Sequence, residues 1–377
     1  MKTNQWLFLT VLVVVVTLSV VPAQAQASRT FEVGAGGSLV MKVVGDVALT
    51  TSPARQVEVQ ALGISQQDLA DLSMTQEGNT VRVEFRPRNG HSRNIRFNVA
   101  LPDHFDVDLT TAGGDVSLEG NLTGRLVGKT AGGDLNIGNV DGVVDLSTAG
   151  GDITVGQVGG DVVLKTSGGD IRLESSEGLV RVSTSGGDIV IGDVGKSLEA
   201  KTSGGDIRIN NITGDATAST AGGDVRVGIV SGSAKLSTAG GDIECRGATG
   251  DIKANTAGGD VVLRDISGSL EVSTAGGDIR ADFSPDGQGT SSLTTAGGDL
   301  YITLPEGARA RIEATIKISG RWSTHRDEYR ITSDFPATTE VMDDQAREIR
   351  AVYEINGGGE VIKMRTVNGN IHIHKRN

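Results

Sequence analysis

The chain has 377 residues and carries 47 acidic against 35 basic side chains, a formal net charge of −12 at pH 7. An excess of acid this large makes nucleic acid and anionic membrane faces poor partners. Cys245 is the only cysteine, so an intramolecular disulfide is excluded.

The first 27 residues read as a cleaved secretory signal. Met1-Lys2 leads into an apolar run over 6–21, and the Ala-x-Ala sites that follow place the cut after Ala25 or Ala27. An uncleaved anchor is the alternative, because the run is long for such a region. No later stretch is apolar and long enough to span a bilayer as a helix. The mature chain is expected to be exported to the periplasm, the cell surface or the medium.

Residues 28–110 form a β-rich N-terminal region without the repeat described below. Extended segments are expected at 39–44, 57–61, 80–85, 95–101 and 105–109, with one helical turn near 66–72. Phe85, Phe97 and Phe105 predict a thicker core there.

Between Thr111 and Asp299 the chain spells Thr-Ala/Ser-Gly-Gly-Asp eleven times, closing at Asp115, Asp134, Asp152, Asp170, Asp188, Asp206, Asp224, Asp242, Asp260, Asp278 and Asp299. The steps are eighteen residues except the first, of nineteen, and the last, of twenty-one, where the loop 284–289 is inserted. Apolar residues alternate on both sides of each motif, as in Val144 and Leu146 before it and Ile153 and Val155 after it. Period two means strand, so each unit holds two short strands. One turn between them is the Gly-Gly-Asp itself, where paired glycines are expected to supply left-handed or strained backbone. The other is centred on glycines such as Gly142, Gly160 and Gly178.

Turns this short leave no room for crossover helices. The expected fold is therefore all-β, a two-sheet parallel β-solenoid of about eighteen residues per coil, rising roughly 4.8 Å per coil over residues 111–303. Stacked antiparallel hairpins are the competing arrangement. Outward positions such as Asp145, Ser147, Glu199 and Lys201 are polar, which fixes the register. The threonine four residues before each aspartate shares the inward parity and predicts a hydroxyl ladder at the rim of the core. The same parity argues against an ice-binding surface, which needs outward threonine columns.

Residues 304–377 form a β-rich C-terminal region, with extended segments at 309–320, 348–355 and 360–366. The chain closes on a worn copy of the repeat, Thr366-Val-Asn-Gly-Asn370-Ile. Both terminal regions are expected to cap the open solenoid ends.

A column of aspartates about 4.8 Å apart carries roughly 0.9 kcal/mol of repulsion per neighbouring pair in bulk water, so an offset is required. One reading has each carboxylate accepting turn N–H groups, with Arg172, Arg208, Arg226 and Arg280 diluting the charge. The other is a calcium column, with Asp134, Asp152, Asp170, Asp188, Asp206, Asp224, Asp242, Asp260 and Asp278 as candidate ligands, by analogy with secreted calcium-binding β-rolls. Those rolls need acids in both turns of a coil, whereas the second turn here has no regular acid. No cofactor other than calcium is suggested.

Catalysis finds little support. No histidine lies between His104 and His325 and no aromatic residue between Phe105 and Phe283, so the rod lacks a neutral-pKa base and a sugar-stacking platform. Identical coils also offer no unique site, and no catalytic residue is assigned. A carbohydrate-active β-helix enzyme is the third functional reading. His372 and His374 share a strand face but have no evident third ligand nearby. Cys245 occupies an inward position where neighbouring units carry Val or Leu, as a small buried apolar residue.

The early Val44-Gly-Asp-Val47, the segment ending Val99-Ala-Leu-Pro102, the run of Thr-x-Gly-Gly-Asp units and the closing Thr366-Val-Asn-Gly-Asn370-Ile together resemble the bacterial putative-adhesin family of β-strand-repeat proteins, a domain of unknown function. The resemblance implies the repeat architecture, and the varying outward positions on a repeated skeleton make the first functional reading an exported, non-enzymatic scaffold that binds a cell-envelope component, a polysaccharide or a protein surface. It brings no catalytic residues.

Overall fold

The structure is a computed structural model describing residues 25–88, 92–285, 287, 289–319, 328–343, 345 and 347–376. The sequence reading of residues 1–27 as a signal therefore falls almost wholly outside the described residues. Among those residues the only helical element is a single 3-10 turn, Leu69–Asp71, inside the segment where one helical turn was expected.

Each repeat makes one coil. Val144–Ser147 lies in one sheet, the chain turns through Thr-Ala-Gly-Gly-Asp, Ile153–Val158 lies in the facing sheet, and a second corner leads into Val162–Lys165. Equivalent strands pair in parallel and in register, Val144 with Val162 and Leu146 with Leu164 in the first sheet, Ile153 with Ile171 and Val155 with Leu173 in the second. The antiparallel alternative is thus excluded for the repeats. Among the described residues each sheet is an open ribbon, because the pairing runs from strand to strand without returning to its start. Inward Val, Leu, Ile and Ala stack into one continuous buried core from Phe31 to Ile373.

Burying these columns is what holds the coils in line. A fully buried Val, Leu or Ile contributes about 1.5–3 kcal/mol, and a slip of one residue would expose the whole row.

The second sheet departs from simple alternation. In Ile153–Val158 the buried positions are Ile153, Val155 and Val158, a step of two and then of three. Gly156 and Gln157 bend the strand between them, and the same step recurs in Ile189–Val194 and Val225–Val230. The coil therefore has an extra bend where the sequence suggested a straight run. Asn139 Oδ1 accepts the Gln157 N–H of the next coil at 3.0 Å there, so amide side chains support the bend.

At both ends the strand order departs from the chain order. Gly37–Val43 is inserted between Thr80–Phe85 and Phe105–Thr111, and Asp46–Ser52 between Arg96–Pro102 and Val116–Thr123. At the other end Glu360–Val367 pairs between Thr290–Thr294 and Ala310–Lys317, and Ile371–Arg376 between Leu300–Pro305 and Ile331–Ser333. Among the described residues antiparallel pairings appear only at these ends, as in Leu72–Glu77 with Thr80–Phe85 and Thr339–Asp343 with Glu348–Ile355. Phe85, Phe97 and Phe105 are all buried in the N-terminal end.

Candidate functional site

The repeated residues are built into two hydrogen-bond ladders at the Gly-Gly-Asp corner. Each aspartate N–H donates to Oδ1 of the aspartate one coil earlier, at 2.7–3.2 Å, from Asp115 onto Asp46 through to Asn370 onto Asp299. The early Gly45-Asp46 and the late Gly369-Asn370 are thus the first and last rungs of one line, reached by the inserted terminal strands. A charge-assisted acceptor at every rung offsets the like-charge repulsion.

The threonines form the second ladder. Every Oγ1 from Thr111 to Thr295, and that of Thr366, donates to the carbonyl of the second glycine of the preceding coil at 2.6–2.9 Å. From Thr130 to Thr295 it also accepts the N–H of its own second glycine at 3.1–3.4 Å. These threonines are buried, in keeping with their inward parity.

The glycine pair serves a purpose other than the expected one. None of the repeat glycines in this corner from Gly113 to Gly298 has a left-handed φ. The second glycine is required by close approach, since a Cβ at Gly205 would lie 2.1 Å from Gly187 O. Coils stack there backbone on backbone, with no space for a side chain.

Arg172, Arg208, Arg226 and Arg280 each bond Oδ2 of the aspartate two residues before, at 2.7–2.8 Å. Arg208, Arg226 and Arg280 also approach the preceding aspartates Asp188, Asp206 and Asp260 at 3.8–3.9 Å. The candidate cation ligands Asp134 to Asp278 therefore lie on one edge, each with Oδ1 taken up by a backbone N–H. On Oδ2, Asp170, Asp206, Asp224 and Asp278 hold an arginine closely, while Asp134, Asp152 and Asp242 show no ion pair among the described residues. Among the described residues no three carboxylate, imidazole or thiol groups converge on a common point.

The second corner is less regular. Its side chains at Asp106, Asp161, Ser197, Asp215 and Asp251 accept the N–H one coil later at 2.8–3.1 Å. Val143 and Leu179 interrupt the line, so acids do not recur at every coil.

His372 and His374 stand on the outward face with parallel rings 6.1 Å apart. His372 stacks on Tyr301 at 4.7 Å and its Nδ1 bonds Thr332 Oγ1 at 2.7 Å. His374 Nδ1 lies 3.6 Å from Asp334 Oδ2. Asp334 is held below the usual carboxylate range mainly by the Lys375 N–H. The Tyr301 hydroxyl, directed at Asp299, is pushed up by burial first and by that carboxylate second. Each imidazole is thus tied to its own neighbour. Sequence reasoning missed Thr332 and Asp334 because the strand Ile331–Ser333, which carries Thr332 and is followed directly by Asp334, is short and placed by the chain crossing. Cys245 is buried, and burial pushes its thiol up to about 11.

These features define a parallel β-solenoid whose repeated polar residues serve its own backbone. Residues 39–245 and 193–374 match the model of the Toastrack DUF4097 family. The chain belongs to that family, a domain of unknown function. It is similar to the crystal structure of a putative adhesin from Bacteroides fragilis, 18% identical over 64% of this chain and 96% of that one, with a TM-score of 0.37. A putative adhesin from Parabacteroides distasonis is 15% identical over 65% of this chain and 96% of that one, with a TM-score of 0.33. No curated protein shows significant similarity.

Proposed function

We propose that the protein is an exported, non-enzymatic rod that presents its faces to a partner at the cell envelope, in a matrix or on another surface. The observation that carries this is the use of the repeated polar groups. Asp Oδ1 and Thr Oγ1, the functional groups that recur, are consumed in holding coil to coil. The outward positions, by contrast, vary from coil to coil, as a scaffold with tunable faces requires. The resemblance to proteins named as adhesins agrees with this, and no helix among the described residues is long and apolar enough to cross a membrane.

Cell fractionation combined with protease accessibility on intact cells tests the reading. The chain is expected in the envelope or outside it, shortened by the first 25 or 27 residues, and labelled mature protein should bind isolated envelopes or cells saturably. A chain of unshortened mass confined to the cytoplasm would refute it. Sustained turnover of any glycan by the purified protein would move the reading to an enzyme.

A further inference from the structure

The chain is acidic as a whole, yet its charge is not evenly spread. Aspartates concentrate on the Gly-Gly-Asp edge, and the outward face of the sheet containing Val144–Ser147 is basic. From Leu126–Thr130 to Glu360–Val367 the acids directed outward from these strands are Asp145, Glu199 and Glu271. Glu199 is engaged by Lys201 and lies 3.9 Å from Arg181, and Glu271 is engaged by Lys253. Lys129, Lys165, Lys235, Lys363 and Arg365 remain without ion pairs among the described residues, against Asp145 alone.

One column on this face has a two-coil period up to Ser219, after which it continues as Ser237, Asn255 and Ser273. Its aligned residues are Thr110, Lys129, Ser147, Lys165, Ser183, Lys201 and Ser219, hydroxyl and ammonium in strict alternation. Lysines two coils apart are separated by roughly 9.6 Å, twice the strand spacing. A shallow concavity of about 370 Å³, lined by Arg181, Ser197, Glu199, Asp215 and Thr217, lies beside the last coils of this column. A second, of about 480 Å³, continues along the rod from Asp215 to Thr290 past the end of the alternation, with Lys235 and Lys253 beside Asp251 and Glu271.

We infer that this face binds a linear acidic polysaccharide lying along the rod axis, with sparse, regularly spaced carboxylates. Lys129 and Lys165, together with Lys201, which is shared with Glu199, meet its charges, and the intervening serines bond its hydroxyls. A single nucleic acid strand carries a phosphate every 3.4 Å or so, far denser than the lysine spacing, and so fits the column poorly. A uronate polymer with one acid per disaccharide has sparse charge and many hydroxyls, matching the alternation. This deepens the proposed scaffold function and rests on it.

The test uses the full mature chain and four polymers: hyaluronate as the sparse uronate, polygalacturonate as the dense one, neutral dextran and single-stranded DNA. Binding to hyaluronate is expected, weakening as salt screens the exposed charges, with none to dextran. The variant Lys129→Ser/Lys165→Ser/Lys201→Ser places at each site the residue that the adjacent coil already holds, so folding is preserved. It should bind hyaluronate about tenfold more weakly. The variant Arg172→Thr/Arg208→Thr/Arg226→Thr removes the same charge from the other sheet, with the threonine found at Thr154, and should bind as the parent does.

Equal weakening in both variants would reduce the effect to net charge and overturn the proposal, as would DNA bound as tightly as hyaluronate. A parent dimer in sedimentation that the lysine variant loses would assign the face to a second copy instead. Parallel binding to intact cells separates the two levels of argument. Cells bound equally by parent and lysine variant would sink the polysaccharide face and leave the scaffold reading standing, whereas binding to neither cells nor polymers would remove both.

Discussion

The two corners of each coil do the same geometric job with different strictness. At the Gly-Gly-Asp corner the same residues recur at every coil and both ladders run unbroken. At the second corner Lys196 stands where Gly178 and Gly214 stand in the adjacent coils, as the shared eighteen-residue step and the Gly214 N–H to Lys196 O bond show. Val143 and Leu179 interrupt its acceptor line. One rigid edge is enough to set register for a whole coil, because the strands leaving it are fixed by inward parity. The other edge is then free to vary.

Adding a methyl group at each corner gives the largest expected contrast. In Gly205→Ala the new Cβ meets Gly187 O at 2.1 Å and Gly187 C at 2.4 Å, both backbone. Neither can yield without parting the coils, and a loss of about 3 kcal/mol or more is expected. Gly204→Ala meets Gly186 O at 3.1 Å and should cost about 1 kcal/mol. Gly214→Ala at the second corner meets Ser197 Oγ at 2.6 Å, a side chain that can turn aside, and the backbone only at 2.9 Å, at Lys196 C and Ser197 N, and should fall between them. Melting temperatures of the three variants rank them. Equal losses at Gly205 and Gly214 would abolish the proposed difference between the edges.

Thr220→Val keeps the shape and removes the hydroxyl. Gly205 O and Gly223 N–H then lose a partner in a buried place, which costs about 2 kcal/mol. Thr220→Ser restores both bonds and should recover most of that loss in the same denaturation measurement. A valine variant as stable as the parent would show that the threonine ladder is incidental to the corner.

Much of this was legible in the sequence. The repeat step located the Asp rungs from Asp115 to Asp299, alternation placed Leu146 and Val155 inside, and the threonine parity placed the hydroxyl ladder. Three features were hidden for physical reasons. The bend at Gly156-Gln157 falls inside a run whose composition still suits a strand, so a period change of one residue is masked. The role of Gly205 depends on the carbonyl of another coil, which no local propensity records. The insertion of Asp46–Ser52 and Ile371–Arg376 between strands distant in sequence is set by packing at the ends. The repeat copies at Gly45-Asp46 and Gly369-Asn370 are its only local trace.

The carboxylates themselves give a smaller contrast. Asp224→Ala deprives the Asp242 N–H of its acceptor and Arg226 of its closer partner, leaving it Asp206 at 3.9 Å, a loss of about 1 kcal/mol. Part of it is returned by relieving repulsion with Asp206 and Asp242. Asp215→Ala at the second corner removes the acceptor of the Ser233 N–H with little like-charge relief, because its neighbours in the line are Ser197 and Ser233. Asp224→Asn retains the acceptor and should be close to neutral, which thermal denaturation of the three variants checks.

Salt tests the same asymmetry with the smallest effect. Repulsion along the aspartate edge is roughly 0.9 kcal/mol per pair before screening, and a Debye length of about 8 Å at physiological ionic strength removes a good part of it. Arg172, Arg208, Arg226 and Arg280 already compensate some rungs, so screening has little left to relieve. Sodium chloride and calcium chloride at matched ionic strength should therefore raise the melting temperature alike, by less than about 5 °C. Asp134→Asn/Asp152→Asn, at rungs with no arginine, should reduce that dependence further. A calcium-specific rise beyond the matched sodium control would mean that the free Oδ2 row of these coils binds the ion by mass action, and loss of the rise in the double variant would place it there.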